Sequence, residues 1–166
     1  MGADSGAQPT VLVLGIGNTV MSDDGVGVKV VQSLQEQYRF PDHVELLDGG
    51  TLGLDLLPKL EGISRLIIVD AVETGSAPGT CVRLSGDELP IALETKLSPH
   101  QMGLKDLLAV ARLLGHAPGE MVLIGVQPGS IEMSTELTPA VEAQVEAMKG
   151  AVLRELENFG VPHHSI

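Results

Sequence analysis

The sequence predicts a three-layer α/β/α sandwich built on a five-stranded sheet that is mixed but mostly parallel. Three observations carry this expectation. Near-continuous apolar runs, chiefly VLVLGIGN from Val11 and RLIIVDAV from Arg65, have the character of strands buried on both faces. Between such runs lie segments whose apolar residues recur at helical spacing. The link between the third and fourth strands is shorter than the dozen or so residues a helical crossover needs, so one strand must oppose the others.

Taken in order, Val11 to Asn18 is the first strand and is expected at the centre of the sheet. In DDGVGVKVVQSLQEQY, Val26, Val30, Val31 and Leu34 fall on one helix face. Ser22 or Asp23 can cap that helix, and Gly25 and Gly27 let it approach the sheet closely. HVELLD reads as a second strand, and GLDLLPKL as a short helix weakened by Pro58. RLIIVDAV is a third strand, with Asp70 at its far end. After the turn ETGSAPGT, TCVRLS alternates enough for an edge or half-buried strand. The loop GDELPIALETKL leads to a helix with three start signals: Ser98 as cap, Pro99 at the first position, and Gln101 closing a capping box. That helix runs to Gly115. EMVLIGVQP is the fifth strand, GSIEMSTEL is irregular, and a last helix runs from Thr138-Pro139 to about Phe159, with Leu153 and Leu156 inward. The expected organisation is a disordered lead-in at residues 1–9, one domain at 10–160 and a polar, solvated tail at 161–166.

A chain of 166 residues can bury about two-thirds of its unfolded surface without disulfides or a structural metal. No apolar run approaches the roughly 20 residues that cross a bilayer, so membrane insertion is not expected. The first ten residues carry no signal-peptide pattern, and Gly6 stands where a myristoylation motif needs Ser or Thr. A single cysteine, Cys81, agrees with a reducing, cytoplasmic setting; it is expected to pack, not to act as a nucleophile. The formal charge of −12 and 2% aromatic content remove the cationic footprint and stacking platforms that nucleic acid requires.

Three positions carry metal-ligand side chains where strands hand over to loops or helices: Asp24 after VLVLGIGN, Asp70 ending RLIIVD, and His100 in SPHQ. Open α/β sheets bind ligands in the crevice beyond the carboxyl ends of their strands, so residues far apart in sequence can meet there. Two carboxylates and an imidazole suit a borderline divalent ion such as nickel or zinc. Each residue also has a plainer explanation. Asp23 and Asp24 can both serve the helix start, though one cap suffices. Asp70 can be a turn carboxylate bonded to backbone amides, and His100 a satisfied surface histidine. In the first turn of a helix, however, the dipole disfavours the imidazolium by about 0.3–1 kcal/mol and leaves a nitrogen free to ligate. His43, His116, His163 and His164 lack such settings. Gly15-Ile16-Gly17-Asn18 fails as a dinucleotide fingerprint, because Val20 stands where the third glycine belongs and Asp23 and Asp24 would repel a pyrophosphate. GxxxxGK[ST], HExxH and GxSxG motifs are absent from the sequence.

The segments LGIGNTVMSDDGVGV, LLDGGTLGLDLL, LIIVDAV, SPHQMGLKDLL and LIGVQPGSIE, in this order and spacing, resemble the nickel-iron (NiFe) hydrogenase maturation endopeptidases from Val11 to Phe159. The resemblance implies a protease, of a kind often grouped with aspartic peptidases, that removes a C-terminal peptide from the hydrogenase large-subunit precursor after nickel insertion. It maps the family's metal ligands onto Asp24, Asp70 and His100, the first being Glu or Asp in the family, and lays Asp48 to Thr51 beside the cleft as a substrate contact. Nickel is then expected on the precursor, held by its cysteines, with Asp24, Asp70 and His100 completing its coordination. Asp24 and Asp70 are also the catalytic candidates, as an acid/base pair or as ligands of a Lewis-acid metal. A non-enzymatic nickel-binding module or chaperone needs only the same three ligands, although one imidazole and no nearby thiolate make a weak carrier. A small-molecule hydrolase on the same fold is a further alternative.

Overall fold

The computed structural model describes residues 9–50, 53–86, 88–89 and 99–166, and the side chains of all of these except 53–54 and 99–105. The first strand, β1, spans Val11–Ile16 and is buried throughout. A 3-10 turn at Ser22–Gly25 leads into α1, Val26–Gln37, followed by the two-residue β2 at Tyr38–Arg39 and by β3 at Val44–Gly50. A second 3-10 turn, Gly53–Leu56, runs into α2, Leu57–Leu60, where Pro58 sits in the first turn and so removes no helical hydrogen bond. Next come β4 at Arg65–Ala71, β5 at Cys81–Ser85, α3 at Pro99–Leu113 and β6 at Glu120–Val126. The expected last helix is broken in two, α4 at Pro139–Glu142 and α5 at Val145–Asn158. The final strand, β7, is His164–Ser165.

The main sheet has five strands in the order β3-β1-β4-β6-β5, all parallel except β5, which opposes β6. The mixed, mostly parallel sandwich is therefore as expected, with two differences of detail. The middle strand is β4, and β1 lies one place to its side. A run buried on both faces needs neighbours on both edges, which any interior position supplies. The short β4–β5 link also does not join sheet neighbours. It leaves a gap one strand wide, which β6 fills on returning from α3.

Alternation along the strands sorts the core into two layers. Val11, Val13, Ile67, Val69, Val122 and Ile124 face α1 and α5 through Val30, Val31, Leu34, Met148, Val152 and Leu156. Leu12, Leu14, Leu66, Ile68 and Leu123 face the opposite side, against Leu60 of α2 and Leu107 and Ala111 of α3. Asp70 continues the parity of Leu66 and Ile68. Gly27 explains how closely α1 lies on the sheet, because a Cβ there would collide with the backbone oxygen of Val69. The helix thus touches β4 one residue before Asp70.

The tail differs from a solvated one. β7 pairs antiparallel with β2, Val161 is buried, and the His163 ring stands edge-on to Tyr38 with centroids 5.4 Å apart. Two residues of strand and one aromatic contact are too short a pattern to read from sequence; Pro162, His164, Ser165 and Ile166 are exposed as expected. Residues 1–8, the Ser98 cap and most of the 86–97 loop lie outside the described residues, as do the side chains of His100 and Gln101. Among the described residues, no helix is long and apolar enough to cross a membrane.

Candidate active site

The carboxyl ends of β1 and β4 lie side by side, their pairing running up to Gly15 opposite Val69. From β1 the chain turns through Gly17, whose φ of +133° is open to glycine and costly for other residues, and which leaves no room for a Cβ beside the backbone oxygen of Asp24. Asp24 therefore folds back over the end of its own strand. Its Oδ2 accepts the Asn18 amide N–H at 3.0 Å, and the residue is 2% exposed. The turn that carries it packs against β4.

Asp70 is 0% exposed, on the penultimate residue of β4 and opposite Gly125 of β6. Its Oδ1 accepts the N–H of Ala71 at 2.8 Å, one of the backbone contacts that a turn carboxylate would make. Two buried carboxylates thus lie at the carboxyl ends of adjacent strands, Asp70 within β4 and Asp24 in the turn that follows β1. Burying a charge is unfavourable without compensating partners, and the backbone N–H groups of Asn18 and Ala71 supply part of that compensation here.

His100 is the second residue of α3. Because α3 leads into β6, whose first residue Glu120 pairs with Arg65 at the amino end of β4, the helix descends from the carboxyl ends of the strands. At about 1.5 Å per residue its 15 residues match the height of the sheet, so its first turn belongs to the crevice end. It packs on the same sheet face as Leu66 and Ile68, the face whose parity Asp70 shares. The His100 imidazole lies outside the described side chains. Among the described residues no cluster of three His, Cys, Asp or Glu is assembled to hold a metal.

A polar groove of about 230 Å³ is lined by Gly17, Asn18, Thr19, Gln32, Asp48 and Gly50 among others, and Asn18 links it to Asp24 through its backbone N–H. The Asp48 carboxylate accepts the Gly50 amide at 3.2 Å and the Gln32 side-chain amide at 2.9 Å. The Asp48–Gly50 backbone thus forms one wall of the groove, while Thr51 lies outside the described residues.

Asp23 departs from its expected capping role. Neither it nor Ser22 caps a helix through its side chain, and the Asp23 carboxylate is turned toward the segment after β6. The sequence pattern assigns no site role to Asn18, Gln127 or Thr138. Gln127, 5% exposed, accepts the Thr74 amide at 2.7 Å and so holds the loop that leaves Asp70. A buried amide just past a strand end was the available signal for it.

Cys81 is exposed on the edge strand, not packed in the core. It lines a cavity of about 310 Å³ between β5 and α5, away from Asp24 and Asp70. Desolvation pushes its thiol pKa up, while the neighbouring Arg83 is paired with Glu155 at 2.6 Å. A thiol kept protonated is a poor nucleophile. Cys81→Ser should therefore retain full peptidase activity, and inhibition by a thiol-alkylating reagent that the Ser variant escapes would reverse this assignment.

The chain matches the family model described as hydrogenase maturation protease over residues 28–155. It is 44% identical over 152 residues to the Hydrogenase 2 maturation protease of Escherichia coli K12, covering 91% of this chain and 93% of that protein. Its structure superposes on the hydrogenase maturating endopeptidase HybD from E. coli with a TM-score of 0.90 and 42% identity, over 93% and 96% of the two chains. The HybD maturation protease of Thermococcus kodakarensis is more distant, with a TM-score of 0.70, 31% identity and coverage of 87% and 97%. Fold, length and sequence agree over nearly the whole molecule: the chain belongs to the hydrogenase maturation protease family, and its activity is that of a peptidase.

Proposed function

We propose that this peptidase removes the C-terminal peptide of a NiFe-hydrogenase large-subunit precursor once nickel has been inserted, with Asp24, Asp70 and His100 completing the coordination of the precursor's nickel. The supporting observation is the pair of buried carboxylates at the carboxyl ends of β1 and β4, with the first turn of α3, bearing His100, on the side of the sheet that Asp70 shares. At 2% and 0% exposure, Asp24 and Asp70 are out of reach of a flat protein face. Nickel is here part of the substrate, and its role is to position the scissile bond.

Two other mechanisms use the same residues. Asp24 and Asp70 can act as a general acid/base pair on the peptide bond, or hold a Lewis-acid ion that activates water. The donor set of two carboxylates and one imidazole fits a divalent ion in either case. The non-enzymatic nickel carrier is not retained, because the relatives are named as proteases. We assign the reaction to the cytoplasm, in keeping with a single free cysteine. The decisive experiment is incubation with purified, nickel-loaded precursor followed by mass spectrometry of both fragments. A single cut near the carboxyl terminus is expected; an intact precursor, or cleavage at many sites, would refute the proposal.

A further inference from the structure

The carboxylate of Asp23 is wholly buried and accepts four hydrogen bonds, all from the segment that follows β6. Its Oδ2 takes the amides of Gly129 at 2.7 Å and Ser130 at 3.0 Å and the Thr138 hydroxyl at 2.7 Å, and its Oδ1 takes the Thr138 amide at 2.8 Å. The backbone is stitched along the same line. The Ser22 N–H donates to Ser134 O at 2.8 Å, the Asp23 N–H to Ser130 O at 3.1 Å, and the Ser134 N–H to Val20 O at 3.0 Å. Ser22 adopts a φ of +52°, uncommon for a residue with a Cβ, and its hydroxyl donates to Glu136 O at 2.9 Å.

The sheet order gives this joint its meaning. β1 and β6 flank β4, so bonds from the turn after β1 to the segment after β6 cross beyond the end of β4, where Asp70 sits. Asp24 is the next residue after Asp23. It is held from one side by the Asn18 amide and from the other, through the backbone, by the Asp23 joint. The turn that carries Asp24 is thereby held from two directions beside the end of β4.

We infer that Asp23 is a positioning residue for the protease reaction, setting the Asp24 carboxylate against Asp70 by binding the 129–138 segment to the 22–25 turn. The inference rests on the reading of Asp24 as a functional carboxylate. Thr138 offers a mild way to test it. Its hydroxyl donates to Asp23 and caps no helix, so Thr138→Val deletes one of the four bonds at nearly constant volume and leaves the α4 start otherwise alone. Asp23→Asn is harsher, since it sets an NH2 group against at least one N–H or O–H donor.

The experiment measures cleavage of nickel-loaded precursor alongside the amide proton–nitrogen NMR signal of Asn18, whose N–H bonds Asp24 directly. Asp23→Asn should slow cleavage by about 10²-fold and Thr138→Val by about tenfold, in line with the cost of a misplacement of about 1 Å and of one bond to a charged group. Both should move the Asn18 signal, and Thr138→Ser, which keeps the hydroxyl, should restore signal and rate. If both variants only lower the melting temperature, with the Asn18 signal and the rate of folded enzyme unchanged, Asp23 is merely structural and the inference falls. Should Asp23→Asn fail to fold, the Thr138 pair decides alone. Full activity of Asp24→Asn would instead overturn the functional reading of Asp24, whatever the Asn18 signal does.

Discussion

Asp70→Asn should abolish processing of the precursor and leave the fold in place. The asparagine keeps the shape of the buried aspartate, and its Oδ1 can still accept the Ala71 amide that Asp70 holds at 2.8 Å. The charge is lost, and with it the capacity to act as an anionic ligand or a proton acceptor. Asp70 is the single carboxylate of β4, so no other position of its strand supplies a substitute. A fall of at least about 10²-fold is expected if the group touches the reacting system, on the scale of removing one preorganised electrostatic contact. His100→Ala should have a comparable effect. The assay is precursor cleavage, with circular dichroism and thermal denaturation as controls. An active Asp70→Asn protein would confine Asp70 to a turn-forming role and defeat both the coordination and the acid/base schemes. Activity in His100→Ala would remove only the imidazole from the essential set.

Much of this architecture is legible in the chain because it depends on local pattern. β1 and β4 declare themselves by uninterrupted apolar runs, and α1 by the spacing of Val26, Val30, Val31 and Leu34. The antiparallel β5 follows from a link too short for a crossover. Asp70 stands out for the same reason, as a charge ending an apolar strand, and Asp24 as a charge in the turn that follows one. Strand order is less accessible, since burial on two faces does not distinguish the middle of a sheet from the place beside it, and β1, expected at the centre, lies one place from it. Asp23 shows the deeper limit. An acidic residue before a helix looks like a cap whether its carboxylate turns to its own helix or, as here, to Thr138, 115 positions away. The ordering of His163 against Tyr38 is likewise a long-range contact with no periodic trace.

Location of the metal divides the remaining mechanisms, and the expected result is that enzyme stripped with a chelator cleaves nickel-loaded precursor at full rate. Two carboxylates and one imidazole, without a thiolate, hold nickel less tightly than a cysteine-rich site, so the ion should partition to the precursor. The described residues point the same way: the lone cysteine, Cys81, lies on the edge strand among the lining of a different cavity. Nickel-free precursor should remain uncut by the same enzyme, since the missing ion removes the contact that docks the chain end and aligns its scissile bond. A general acid/base pair acting without metal predicts otherwise, with both precursors cleaved. A resident Lewis acid predicts a third pattern, in which stripping abolishes activity and a catalytic divalent ion restores it even on nickel-free precursor. Asp24→Asn sharpens the comparison. If the carboxylate binds an ion carried by the substrate, its loss should weaken capture of the nickel-loaded precursor and leave binding of the nickel-free form unchanged, which a pull-down with each precursor measures independently of cleavage.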